Sequence, residues 1–217
     1  MAITSDPRAL FTAKHGSYAR FIRLVSYPQG IRAFFVRSPW LRSNLRVLDA
    51  GCGTGVVTLA FRDALIRRGL VPGRLHAFDL TPAMLERFRD VLRTRAIDGV
   101  ETEQANVLEL GMLPDAWTGY DVVLSASMLE YVPRDRLVDA LRGLRARLGP
   151  EGRFVLFITK RNWLTRPLIG RWWRSNLYTA GEVHDAFDRA GFAQCTFRSF
   201  PPAARHLALW GHVVEGR

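Results

Sequence analysis

The run RVLDAGCGTG at residues 46–55 constrains the fold of this 217-residue chain more than any other segment. A short apolar stretch delivers Asp49 into a turn with Gly51, Gly53 and Gly55, and the amphipathic segment VVTLAFRDALIRRG follows. That order predicts a buried strand, a tight loop and a helix. Glycine admits positive φ and lets a ligand come close to the backbone. In an open parallel sheet such a loop lies at the carboxyl ends of the strands, where ligands bind.

The spacing selects among ligands. Dinucleotide-binding loops read G-x-G-x-x-G, and the third glycine of that pattern would fall on Val56. The spacing here is G-x-G-x-G, with an acid two residues before it. An acid beside the loop repels a pyrophosphate but suits a ligand with a cationic group. No GK[ST] follows, so a P-loop nucleotide site is excluded. A second acid, Asp79, closes the next strand-like run, RLHAFDL. It lies near the roughly 20-residue separation expected of a carboxylate that takes ribose hydroxyls. The competing reading makes Asp79 a cap for the helix opening at Thr81-Pro82.

Downstream, strand-like and helical patterns alternate, as in a parallel α/β sheet. TPAMLERFRDVLRTRA reads as a helix, GVETEQA as a weak third strand, YDVVLSAS as a fourth and GRFVLFIT as a fifth. A helix between the last two carries Leu137, Leu141, Leu144 and Leu148 on one face and stops at Gly149-Pro150. The tail reads as one helix, AGEVHDAFDRAG, and two strands, CTFRSF and HLALWGHVV. Ahead of the first strand, Tyr18, Phe21, Ile22 and Val25, then Ile31, Phe34 and Phe35 after Pro28 and Gly30, predict two short amphipathic helices.

These motifs, in this order, resemble the class I S-adenosylmethionine-dependent methyltransferases that act on small molecules, lipids or quinones. VLDAGCGTG, AFDLTPAMLE, YDVVLSASMLEYVP, LRARLGPEGRFVL and TAGEVHDAFDRAGF carry the resemblance, which covers roughly residues 45–217. It implies a Rossmann-like α/β fold, with a mostly parallel seven-stranded sheet, helices on both faces and an N-terminal helical cap over residues 1–44. It implies S-adenosylmethionine as cofactor and S-adenosylhomocysteine as product. Asp49, Gly51, Cys52, Gly53 and Gly55 then surround the methionine moiety, and Asp79 holds the ribose with Leu80 against the adenine. Asn106 and Val107 meet the adenine edge, and Ser125, Ala126 and Ser127 line the floor. The family often has Asp where this chain has Asn106. Many members read Glu-His-Val where it has Glu130-Tyr131-Val132, so one candidate base is missing. Tyr18, Glu130 and Tyr131 remain as catalytic candidates, with His15 beside them. A cofactor-binding protein without catalysis and a nicotinamide-dependent reductase are the alternatives.

Charge points to the acceptor. The formal net charge is +11. Residues 1–46 hold eight bases and one acid, Asp6, while residues 160–176 hold five bases and no acid. Both segments are also aromatic. A solvated helix face is the plain reading of such a charge run. The functional one is a rim of Arg161, Trp163, Arg166, Arg171 and Trp172, in a basic insert at about 160–178, that attracts an anionic or amphiphilic acceptor or an anionic membrane surface. No nucleic-acid module is recognisable, and Cys52 and Cys195 support neither a disulfide framework nor a metal site. A cytoplasmic protein, peripheral at the inner membrane face, is the expectation.

Overall fold

The computed structural model describes residues 24–171 and 175–217. Its centre is β1 (Val47–Ala50), four residues that are all buried. Neighbours cover both edges: β2 (Leu75–Asp79) and β4 (Tyr120–Ala126) each pair with β1 in parallel. With β3 (Val100–Gln104), β5 (Leu148–Thr159), β6 (Cys195–Arg198) and β7 (Gly211–Gly216), the sheet order is β3-β2-β1-β4-β5-β7-β6. The first five strands are parallel, and β7 runs antiparallel to both β5 and β6. Strand order reverses between β1 and β4, and a crevice opens at such a point beyond the carboxyl ends.

Helices cover both faces, as the two-residue alternation along each strand requires. Leu48, Val123, Phe154 and Val214 pack under α4 (Leu137–Arg145) and α5 (Ala180–Ala190). Val47, Val122, Phe157 and Val213 pack on the opposite side, with α1 (Tyr27–Arg37) and α2 (Val56–Arg67). Helix α3 (Pro82–Thr94) sets Leu85 and Phe88 against Ala77. A capping box starts α5, with Thr179 Oγ1 accepting from the Glu182 backbone N–H and the Glu182 carboxylate accepting from the Thr179 N–H.

Among the described residues the predicted order of elements is the observed one, with three corrections at element ends. The α4 helix stops at Arg145, and Leu148 belongs to β5, opposite Tyr120. The Arg147 carbonyl accepts from the Tyr120 N–H at 3.0 Å, so sheet pairing ends the helix before its leucine pattern runs out. In HLALWGHVV only residues 211 onward form a strand; the residues before it belong to 3-10 turns over Pro202–Leu209. Those turns press Leu207 so closely on Gly30 that a Cβ there would stand 2.1 Å from it. Helix α1 begins ahead of Pro28 rather than after Gly30, because proline is tolerated in a first helical turn. It is packed into the sheet's core through Ile31, Phe34 and Phe35, with the Phe35 and Phe61 rings 5.0 Å apart. Most of the preceding predicted helix, including Tyr18 and Phe21, lies outside the described residues, as does His15.

Candidate cofactor and acceptor site

The glycine loop is built by backbone geometry. Gly51, Gly53 and Gly55 all have positive φ, at 74°, 53° and 80°. Amide groups of Gly51 and Cys52 donate to the Phe78 carbonyl at 2.8 and 3.0 Å, which ties the loop to the end of β2. Asp79 completes the tie: one carboxylate oxygen accepts from the Gly53 N–H at 2.9 Å, the other from the Thr81 N–H at 2.8 Å. The capping and ligand-holding readings of Asp79 are therefore compatible. An ionised carboxylate has about four acceptor positions, and the loop and turn occupy two. Burial, more than any other influence, raises the Asp79 pKa.

Asp49 sits beneath the loop rather than on its surface. It is 1% exposed, and one oxygen accepts from Thr58 Oγ1 at 2.6 Å, in the first turn of α2. Its other oxygen is buried with no hydrogen-bond partner among the described residues. Burial pushes its pKa up to about 6, against the lowering effect of the Thr58 hydrogen bonds.

A cavity of about 320 Å³ opens above the loop, at the carboxyl ends of β1, β2 and β4. Of the residues named from sequence, Gly51, Cys52, Gly53, Asp79, Leu80, Asn106, Val107, Ala126, Ser127 and Tyr131 line it. Asp49, Gly55 and Ser125 do not; they stand behind its wall. Gly55 is glycine for a packing reason, since its Cβ would lie 2.0 Å from the Phe88 ring. At Gly53 a Cβ would meet nothing within 4 Å, so the space over the loop is clear. Asn106 Oδ1 accepts from the Leu108 N–H at 3.1 Å, which leaves the amide nitrogen as the group it can offer a ligand. Tyr27, Met84, Met128 and Val132 also line the cavity and were not singled out for it from sequence. Met84, Met128 and Val132 lie within the quoted motifs, and Tyr27 is an aromatic of the first basic segment.

A second, smaller cavity of about 50 Å³ adjoins the first and shares Tyr27, Ser127 and Tyr131 with it. Tyr27 Oη lies 3.5 Å from Ser127 Oγ across that shared wall. Glu130 lines only the smaller cavity. It is 2% exposed, accepts from the Thr159 N–H at 2.9 Å, and is pushed up by burial to about 7. Of the catalytic candidates, Glu130 and Tyr131 are thus beside the cavities and Tyr18 is outside the described residues.

The expected rim is not assembled around these cavities. Arg161 pairs with Glu182 of α5 at 3.0 Å, and neither Arg161, Trp163 nor Arg166 lines either cavity. Trp163 is 84% exposed, so it is not tucked into the core. Arg171 ends a π-helical turn from Arg166, and its side chain, with Trp172, Trp173 and Arg174, lies outside the described residues. Among the described residues no cluster of three His, Cys, Asp or Glu side chains is placed to hold a metal.

Residues 47–152 match the family described as methyltransferase domain. Two curated relatives share 68% of this chain at 32% identity. One is the non-reducing polyketide synthase esdpA of Penicillium shearii, matched over 151 residues, 6% of its length. The other is the malonyl-[acyl-carrier protein] O-methyltransferase of Halorhodospira halophila, matched over 154 residues, 48% of its length. The chain therefore spans less than half the length of either relative. The magnesium protoporphyrin IX methyltransferase of Synechocystis, solved with S-adenosylhomocysteine bound, superposes with a TM-score of 0.68 at 16% identity over 96% of both chains. Residues 47–152 thus carry a methyltransferase-domain match, and the chain has the Rossmann-like fold of the class I S-adenosylmethionine-dependent methyltransferases.

The larger cavity fits the cofactor of that class. Asp79 retains acceptor capacity for neighbouring hydroxyls, Asn106 offers an amide nitrogen, and Gly53 leaves clearance along the loop.

Proposed function

We propose that this chain binds S-adenosylmethionine in the larger cavity and methylates a small-molecule acceptor. The observation that carries this reading is the clasp between Gly53 and Asp79 on the floor of a cavity at the strand-order reversal. Bound there, the cofactor supplies a methyl group on a positively charged sulfur. Asp79 would hold the ribose, Leu80, Asn106 and Val107 the adenine, and the backbone of residues 51–53 the amino-acid end. Asp49 acts from below: its carboxylate fixes the start of α2 through Thr58 and places negative charge under the loop. The protein's share of catalysis is mainly positioning, and holding two reactants in line contributes several kcal/mol. O-methylation, there of a malonyl group on an acyl-carrier protein, is what the name of the Halorhodospira relative describes.

Calorimetric titration tests the reading. S-adenosylmethionine and S-adenosylhomocysteine are expected to bind and NADH is not. Tight NADH binding with no heat from either adenosyl ligand would instead support the reductase. Binding without product from any acceptor would support a protein that kept the pocket and lost the reaction.

An amphiphilic acceptor, with the protein peripheral at an anionic membrane face in the cytoplasm, is the finer reading. It is supported by the exposure of Trp163 (84%), Leu168 (46%) and Leu209 (58%) beside the basic segment that holds Arg166. Among the described residues no helix is long and apolar enough to cross a membrane. Each Arg near an anionic surface contributes about 1 kcal/mol. Trp163→Ala with Arg166→Gln is therefore expected to cut co-sedimentation with phosphatidylserine vesicles at low salt and leave S-adenosylhomocysteine affinity unchanged. Equal sedimentation with neutral and anionic vesicles, or with neither, would leave a freely soluble acceptor.

A further inference from the structure

The smaller cavity adjoins the larger one across a wall that carries two hydroxyls. Ser127, the residue after β4, has φ 52°, in the left-handed region, and its N–H donates to the Phe157 carbonyl at 2.9 Å. An L-residue enters that region only at a cost. Here the turn sets Ser127 Oγ 3.5 Å from Tyr27 Oη, and both side chains line both cavities. Beyond them the lining is apolar. Phe157, Ile158, Ile169, Phe200 and Leu207 are all buried there, and half-buried Val25 lines the smaller cavity alone.

Two ionisable groups share this lining, and burial holds both towards their neutral forms. The Glu130 carboxylate already accepts from the Thr159 N–H at 2.9 Å, and its pKa is pushed up to about 7. The His212 ring packs on Phe197, with centroids 5.4 Å apart; burial lowers its pKa, and its Nε2 is sealed from any water-sized atom. An ion leaving water for this space would lose its hydration and gain no counter-charge. An aliphatic group loses nothing, and an apolar cavity stays dry until such a group fills it. At about 50 Å³ the space exceeds the ~10–15 Å³ that one water needs and falls short of the ~150 Å³ of a cavity that holds benzene. It takes a chain of a few carbons and not a ring.

Building on the methyltransferase reading, we propose that the smaller cavity is an acceptor subsite for an uncharged aliphatic group of a few carbons, carried close to the atom that receives the methyl. The polar end of the acceptor then lies at the hydroxyls of Ser127 and Tyr27, on the boundary with the cofactor cavity. Acceptors with a second polar group in place of that chain are excluded.

The test uses ethanol, 1-butanol, 1-hexanol and 1,4-butanediol as probes on protein saturated with S-adenosylhomocysteine. Affinities and nuclear Overhauser contacts are measured by NMR with labelled methyl groups. Each methylene moved out of water is worth about fourfold in affinity, so 1-butanol should bind roughly tenfold more tightly than ethanol. The gain should level off at 1-hexanol, when the cavity is full, and 1,4-butanediol should bind far more weakly than 1-butanol. The terminal methyl of 1-butanol should contact the methyls of Ile169 and Leu207, while its hydroxyl-bearing methylene contacts bound S-adenosylhomocysteine. Val25→Phe fills the cavity from its half-buried position and should abolish 1-butanol binding, with S-adenosylhomocysteine affinity unchanged. Equal binding of butanediol and butanol, or no contact with Ile169 and Leu207, would overturn the proposal. So would undiminished butanol binding in folded Val25→Phe protein. Butanol seated in the cavity without contact to S-adenosylhomocysteine would show a cavity that does not lead to the methyl, and would overturn it equally. The wild-type contacts and the diol comparison decide the matter even if Val25→Phe fails to fold. Failure of wild type to bind S-adenosylhomocysteine would instead defeat the cofactor reading beneath it.

Discussion

Asp79→Ala is expected to lower S-adenosylhomocysteine affinity by about 100-fold or more, because hydrogen bonds to a charged group are worth about 1.5–3 kcal/mol each. Two losses add. Bound ribose hydroxyls would lose a paired acceptor on the floor of the cavity. The loop also loses its clasp, since the Gly53 and Thr81 amides that now donate to the carboxylate are left without it. Asp79→Asn should fail nearly as badly, because an amide has one acceptor oxygen and cannot accept from both Gly53 and Thr81. Calorimetry on protein with an unchanged circular dichroism spectrum decides the matter. Near wild-type affinity in a folded Asp79→Ala protein would mean that the ribose is held elsewhere.

Gly55→Ala is expected to damage the fold and not the chemistry. The residue has φ 80°, a conformation that costs an ordinary residue about 1–2 kcal/mol. Its new Cβ would also lie 2.0 Å from the ring of Phe88, which is fully buried. Overpacking of that kind typically costs about 1–3 kcal/mol. For a domain of this size each kcal/mol lowers the melting temperature by about 2–4 °C, so a drop on the order of 10 °C should appear in a thermal scan. Gly53→Ala is the control. It bears the backbone strain without the clash, so its melting temperature should fall less while its methyl intrudes on the ligand's space. Equal effects of the two substitutions on both measurements would contradict the division of labour within the loop.

That division shows what can be read from the chain before folding. The glycine spacing and the two acids were legible because a loop that approaches a ligand restricts residue type at fixed positions. Their individual duties were not. Gly55 answers to Phe88, a residue 33 positions later, and Asp49 answers to Thr58; both partners become neighbours only when α2 and α3 have packed. The end of α4 was misread because leucine periodicity runs to Leu148, while the decision lies with Tyr120 on another strand. The basic, aromatic rim was conspicuous by composition; among the described residues Arg161 is committed to Glu182, Trp163 is exposed, and neither lines a cavity.

The position of β7 also governs the order in which this domain can be completed during synthesis. β7 follows β6 in the chain but lies between β5 and β6 in the sheet. A nascent chain that has emerged only as far as residue 200 can form β3-β2-β1-β4-β5, with the outer edge of β5 open and β6 without a partner. Unpaired edges of that kind invite association with other chains. The insertion of Gly211–Gly216 closes that edge and recruits β6 in one event. Ribosome-bound intermediates of this domain should therefore acquire the glycine loop while the β5 edge is still open, and they depend on β7 to close it.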